Sequence, residues 1–194
     1  MPRPFRTLVT TLVTTLVALL ALVPAVAAAG ASRGLPLEDY AAYQPATRCA
    51  PAAKPGTLVL ARWTVNRYGG RFGGISRACG GSRSEHQEGR AFDWSVDVRR
   101  PADRARVARL MRDLFATNAA GEADALARRM GIMYLIWNDR IWSAWDGFEP
   151  HPYRSSSCPA LRRCSRTLRH LDHVHISLTR GAAVGHTSWF VGRL

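Results

Sequence analysis

Apolar and polar positions divide the chain into segments of different period. From Phe92 to Val98 the two alternate, with Phe92, Trp94, Val96 and Val98 on one face and Asp93, Ser95 and Asp97 on the other. That period of two predicts a half-buried strand whose polar face starts with an acid. Beyond it, Pro101 stands at a first-turn position, and Val107, Leu110, Met111, Leu114 and Phe115 follow at helical offsets, which predicts an amphipathic helix. A shorter helix is expected from about Glu122 to Met130, with Gly131 as its stop. Thr57 to Tyr68 fits either period, but its length and the Gly69-Gly70 stop favour a helix.

Ile132 to Trp137 and Arg140 to Ala144 are apolar and β-prone, and Asn138-Asp139 between them makes a two-residue hairpin turn. The last strand runs from His173 to Leu178, alternating His173, His175 and Ser177 with Val174, Ile176 and Leu178. Gly69 to Gly81 and Gly147 to about Thr167 are expected to be loops. Residues 30–55, rich in Ala and Pro, read as an extended arm or linker ahead of a domain over residues 56–194. Helices packed on a small, mainly antiparallel sheet make the expected fold class α+β.

The N-terminus has another character. Arg3 and Arg6 precede an uncharged apolar run from Leu8 to Val23, followed by Pro24 and two small-x-small sites, Ala25-Val26-Ala27 and Ala27-Ala28-Ala29. Residues 1–29 therefore read as a cleaved signal peptide, the run being shorter than the ~20 apolar residues of a spanning helix. An exported protein at the cell wall is expected, with no stable membrane insertion after cleavage. About 165 residues remain, enough for one domain with a core.

Charge and cysteines sharpen that picture. There are 27 basic and 14 acidic side chains, a net charge of +13, and Lys54 is the one lysine. Such a field draws polyanions: phosphate-bearing wall polymers or nucleic acid. An export signal, no recognition-helix motif and no His-Asn-His set around His173 argue against nucleic acid. Four cysteines in an oxidising compartment read as two disulfides, with Cys49–Cys79 and Cys158–Cys164 the favoured pairing. A four-thiolate zinc site is the rival, and the spacings suit it poorly.

The chemistry concentrates in Ser84-Glu85-His86-Gln87-Glu88-Gly89-Arg90-Ala91-Phe92-Asp93-Trp94 and in His170-Leu171-Asp172-His173-Val174-His175-Ile176. The period of two aims His173 and His175 to one side of their strand. His86, Asp93 and His175 together offer two imidazoles and a carboxylate, the set a catalytic zinc uses while keeping one position for water. Gly89 permits the turn that returns His86 over the first strand. A base beside such a zinc can take the proton of its acidified water.

With those residues in view, His86-x(6)-Asp93 followed by Asp172-x-x-His175 and His173-x-His175 resembles the zinc peptidases that share a fold with D-Ala-D-Ala carboxypeptidases, the hedgehog signalling domain and murein endopeptidase A. The first segment, the Ile136-to-Trp142 hairpin and the His170-to-Ile176 ending further resemble a group of exported actinobacterial proteins of this superfamily; the likeness covers roughly residues 50–180. The resemblance implies Zn2+ on His86, Asp93 and His175, and Asp172 as the base. The murein endopeptidase form implies His173 and His170 near the metal. Parity is the obstacle for Asp172, which can face the metal only if the strand begins after it. We therefore expect Asp172 as base with His173 polarising the carbonyl, or the reverse.

Other residues carry weaker signals. Arg83 stands where the carboxypeptidases have substrate-binding Ser and Arg, and suits a substrate carboxylate. Trp137, with Trp142 and Trp145, is a core residue or a substrate-strand contact, and His170 is a candidate substrate contact. Asp97 shares the face of Asp93, and Glu88 is expected to be solvated. The function these features predict is a monomeric zinc metallopeptidase cutting a peptide bond in peptidoglycan, in a stem or a cross-link. The alternative is an inactive, metal-bearing module binding wall polymer or protein.

Overall fold

The computed structural model describes Met1 and residues 34–194; the stretch read as a signal peptide lies outside the described residues apart from Met1. Helix α1 (Pro55–Tyr68) carries its proline in the first turn and ends at Gly69. Strand β1 (Arg71–Gly74) follows within the segment expected to be a loop. Gly73 makes it possible: a Cβ there would collide with the backbone oxygen of Asp93 on the neighbouring strand. After β2 (Ala91–Ser95) come α2 (Pro101–Leu114) and α3 (Ala125–Arg129). The hairpin β3 (Ile132–Trp137) and β4 (Arg140–Ser143) turns on Asn138 and Asp139, both at positive φ, as a two-residue turn of this kind requires. A short β5 (Pro150–Pro152), β6 (His173–Leu178) and α4 (Arg180–Ala183) complete the order.

The six strands form one sheet in the order β1-β2-β6-β3-β4-β5, and every neighbouring pair is antiparallel. The α+β expectation holds, and β1 and β5, inside the Gly69–Gly81 and Gly147–Thr167 segments, correct both loop readings. Strand β2 also stops short of Val98. The Asp97 carboxylate accepts the Arg99 N–H, and the Asp97 N–H goes to Asp103 instead of a strand partner.

One sheet face is covered by helices. Phe92, Trp94, Val174 and Ile176 pack with Leu60, Leu110 and Leu114 in the main core. On the opposite face Met133, Tyr134 and Ile136 form a second, smaller cluster. The register of β3 against β6 shifts between Ile132 and Tyr134. That irregularity sends Met133 and Tyr134 both to the second face, while Ile132, Leu135 and Trp137 stay in the main core.

Residues 34–54 form no regular element, yet they are bound to the domain rather than trailing from it. Ala50 N–H donates to Gln87 O, Lys54 N–H to Gly89 O, and the Tyr40 hydroxyl to Asp124. The Cys49–Cys79 disulfide ties this strap to the segment before His86, and Cys158–Cys164 closes the second expected bridge, so no free cysteine remains. Two disulfides indicate an oxidising, extracytoplasmic setting. Among the described residues no helix is long and apolar enough to cross a membrane.

Beneath the strap lies a buried charge cluster. Arg90, 1% exposed, donates Nε–H to Glu88 and Nη1–H to Leu178 O, and reaches Gln44 O with Nη2. Glu88, expected in solvent, is 4% exposed and also accepts the Thr47 N–H at 2.9 Å. The strap folding over it accounts for the difference. Burial by itself raises this carboxyl, but the Arg90 guanidinium and the Thr47 and Arg48 amides outweigh it and hold the pKa near 2. A pKa depressed by folding stabilises the fold fully above the ordinary value of 4.5 and progressively less below it. The unfolding midpoint is therefore expected to fall as pH drops from about 4.5 towards 2. In a calorimetric pH series Glu88→Gln should flatten that part of the profile; an unchanged slope would remove Glu88 from the acid response.

Candidate metal centre

Ser84 sets the first ligand in place. Its hydroxyl accepts the His86 N–H and opens a short 3-10 helix, Glu85–Glu88, which Gly89 ends in the left-handed region at φ 64°. A Cβ on Gly89 would run into the Ala52 carbonyl, so the strap and this turn need glycine there. The turn folds His86 back over β2, where Asp93 pairs directly with His175 of β6. Both side chains leave the sheet on the face away from the helices.

The three meet. His86 Nε2 lies 3.1 Å from Asp93 Oδ1 and 3.1 Å from His175 Nδ1, and the latter two atoms are 3.2 Å apart. Ligands about 2.0–2.1 Å from a tetrahedral ion stand roughly 3.3 Å from one another, so this triangle has the edges of three ligating corners. The far nitrogens are anchored: His86 Nδ1 lies 2.7 Å from Ile75 O, and His175 Nε2 lies 2.9 Å from Ser177 Oγ. The Ile75 carbonyl can only accept, which puts the His86 ring proton on Nδ1, and a Ser177 hydroxyl accepting from His175 Nε2 leaves a lone pair on each near nitrogen. Two lone pairs and a carboxylate oxygen then converge, an arrangement a cation relieves. His86, Asp93 and His175 are the described group able to hold a metal ion.

Charge states agree with that role. Burial pushes the His175 imidazole down, outweighing the nearby Asp93, and keeps it neutral. Burial works against the Asp93 carboxylate too, but the His175 and His86 contacts overcome it and hold the group ionised far below the usual range.

The centre opens into a cleft of about 520 Å³ lined by Arg77, Arg83, Glu85, Tyr134, Trp145, Tyr153, His170 and His173 among others. His173 Nδ1 lies 2.8 Å from Asp172 Oδ1, and its Nε2 is 3.6 Å from Asp93 Oδ1. Strand β6 does begin after Asp172. Even so, the Asp172 carboxylate points to His173 and Thr167 and lines a separate hollow, so Asp172 reaches the site only through His173. Of the two, the imidazole and not the carboxylate faces the metal group.

A family model described as the VldE C-terminal domain matches residues 49–159. The chain belongs to that family. The VldE C-terminal-domain match takes in the Cys49–Cys79 bridge, His86 and Asp93, and stops before β6, so His170, Asp172, His173 and His175 lie beyond it. No curated protein and no solved structure matches the chain.

In this member of the VldE C-terminal-domain family the remaining candidates divide. His170 lines the cleft at positive φ, its ring 4.7 Å from that of His173, and its buried Nδ1 has no hydrogen-bond partner among the described residues. Burial, then the His175 and His173 rings, lower its pKa to about 3. Arg83 is exposed on the cleft wall. Trp137 takes the core place of its two readings and not the substrate contact: its parity on β3 sends it to the helix-covered face, where it is 7% exposed and away from the cleft. The exposed tryptophan in the cleft is Trp145. Asp97 pairs with Arg166 at 2.6 Å and lies in the separate hollow.

Sequence reasoning passed over Glu85, Tyr134 and Ser177 as site residues. Ser177 shares the face of His175, so parity alone marked it. Tyr134 was hidden in an apolar run, and the register shift that turns it towards His175 has no sequence signature.

Proposed function

We propose that this chain is an exported, zinc-dependent hydrolase that cuts a peptide bond in peptidoglycan. The supporting observation is the His86–Asp93–His175 triangle opening onto a cleft with an oriented His173–Asp172 pair at its edge. Zinc held by these three residues would supply Lewis acidity to polarise a substrate carbonyl and acidify water. The chain's own groups handle the proton. Asp172 accepts the His173 Nδ1–H, which leaves a lone pair on Nε2 facing the site. His173 then takes a proton from the attacking water and returns it to the departing amine. Arg83 and His170, which line the cleft, would hold polar groups of the peptide, and the net positive charge favours an anionic wall.

The test is amine release from murein sacculi of several cross-link chemistries by protein with both disulfides formed and zinc supplied. Release that a chelator abolishes and zinc restores is expected. His173→Ala should lower kcat about a hundred- to ten-thousand-fold. Asp172→Asn should cost less and shift the pH profile, because it acts through His173. Wall binding without release from any substrate would refute the hydrolase and assign the chain to metal-bearing wall-binding modules.

A further inference from the structure

Away from the metal triangle, one wall of the cleft combines exposed aromatic rings with a buried carboxylate. Tyr43 and Trp145 are 54% and 46% exposed, unusual for rings this large, and pack edge to face with centroids 5.3 Å apart. Trp145 meets Tyr134 at 6.1 Å. The Tyr134 hydroxyl donates to Glu85 Oε2 at 2.8 Å, and Glu85, Tyr43, Tyr134 and Trp145 all line the same cleft.

Behind Glu85 stands one guanidinium within salt-bridge distance, that of Arg90 at 3.7 Å, and Arg90 is committed to Glu88 through Nε. Glu88 is also met by Arg180 at 3.4 Å, so of the two buried carboxylates Glu85 is the one that lines the cleft with its negative charge. That charge is felt across the wall: after burial, Glu85 is the next influence raising the Tyr43 phenol.

Electron-rich ring faces beside a partly desolvated carboxylate are the two features that recognise an organic cation. We propose that Glu85, Tyr43, Tyr134 and Trp145 form a subsite for a primary ammonium group of the bound peptide, either a diamino-acid side chain or a free N-terminus. Arg77 and Arg83 line the same cleft and disfavour a second cation near themselves, which confines the ammonium to the aromatic wall. The inference rests on the reading of the cleft as a peptide-binding site. It does not require that the bond be cut.

Its test is therefore binding. Calorimetric titration of zinc-loaded protein with Nα-acetyl-lysine methylamide, its Nε-acetylated counterpart, and glycylglycine methylamide compares a side-chain ammonium, no ammonium and an N-terminal ammonium. At least one ammonium probe is expected to bind about tenfold tighter than the neutral one, the size that a cation–π contact joined to a carboxylate gives. Which one does so identifies the source. Trp145→Leu, at an exposed position, and Glu85→Gln should each bring the preference close to parity. Equal binding of all three probes, binding of none, or a preference that survives both substitutions overturns the subsite. A protein that releases nothing from sacculi but keeps the preference loses the hydrolase reading and retains this one.

Discussion

Asp93→Ala is expected to abolish stoichiometric metal binding and, with it, any hydrolysis. The carboxylate supplies the one negative charge among three converging ligand atoms, 3.1 and 3.2 Å from the imidazole nitrogens. Without it two neutral rings remain, and a divalent ion loses both a ligand and its charge compensation. Loss of an outer-shell partner costs about 10–100-fold in metal affinity, and loss of a ligand should exceed that. Ser177→Ala, which removes only the hydroxyl beside His175 Nε2, marks the outer-shell scale in the same assay. Metal content after dialysis gives the direct reading. Thermal unfolding gives a second one, since an ion that binds only the folded chain raises the midpoint with its concentration. Wild-type protein should show that rise and Asp93→Ala should not. A variant that keeps one metal ion per chain would show that these residues are not the ligands.

The second large effect is on folding. Glu88→Gln removes the negative partner of a guanidinium that is 1% exposed. Breaking a buried pair from one side costs about 3–5 kcal/mol because the remaining charge stays desolvated. The lower end, about 3 kcal/mol, applies here because Glu85 still lies 3.7 Å from Arg90. For a domain of this size that lowers the midpoint on the order of 10 °C. Arg180, 3.4 Å from the same carboxylate but partly exposed, provides the contrast: Arg180→Ala should cost no more than about 1 kcal/mol. Denaturant unfolding of the variants side by side measures both. A loss under about 1 kcal/mol for Glu88→Gln would mean that the strap and sheet are held together by other contacts.

The cluster also shows why the site and the fold are not separable. Glu88 and Arg90 bracket Gly89, the residue that turns the chain from His86 into β2. The strap contributes Gln44 O and Thr47 N–H to the two charges, and its disulfide holds the segment leading to His86. The residues read as an extended arm or linker thus close the back of the turn that carries His86.

How much was legible follows from which interactions are local. Alternation in Phe92–Val98 and His173–Leu178 is a property of extended backbone, so it placed Asp93, His173 and His175 on polar faces before any fold was known. The Asn138-Asp139 turn, the proline-led α2 and the short Cys158–Cys164 bridge were readable for the same reason, whereas Cys49–Cys79 joins residues 30 positions apart. The strand β1 was not, since Arg71–Gly74 has no alternation and becomes a strand only because β2 offers it an edge. Trp137 was left between core and substrate contact because an unbroken apolar run hides parity, and the register in β3 put it in the core.

The sequence by itself determined the main helices and strands, an even set of cysteines fit for two bridges, and the identity of three side chains able to bind a metal. Only tertiary structure decided that β2 and β6 lie side by side in the register that sets Asp93 opposite His175, that Asp172 serves His173 rather than the metal group, and that Glu85 stands among aromatic rings. The reason is physical: periodicity and turn preference act over a few residues. Strand neighbours, burial of charge and the far-side partners of each imidazole are settled by contacts between residues tens of positions apart.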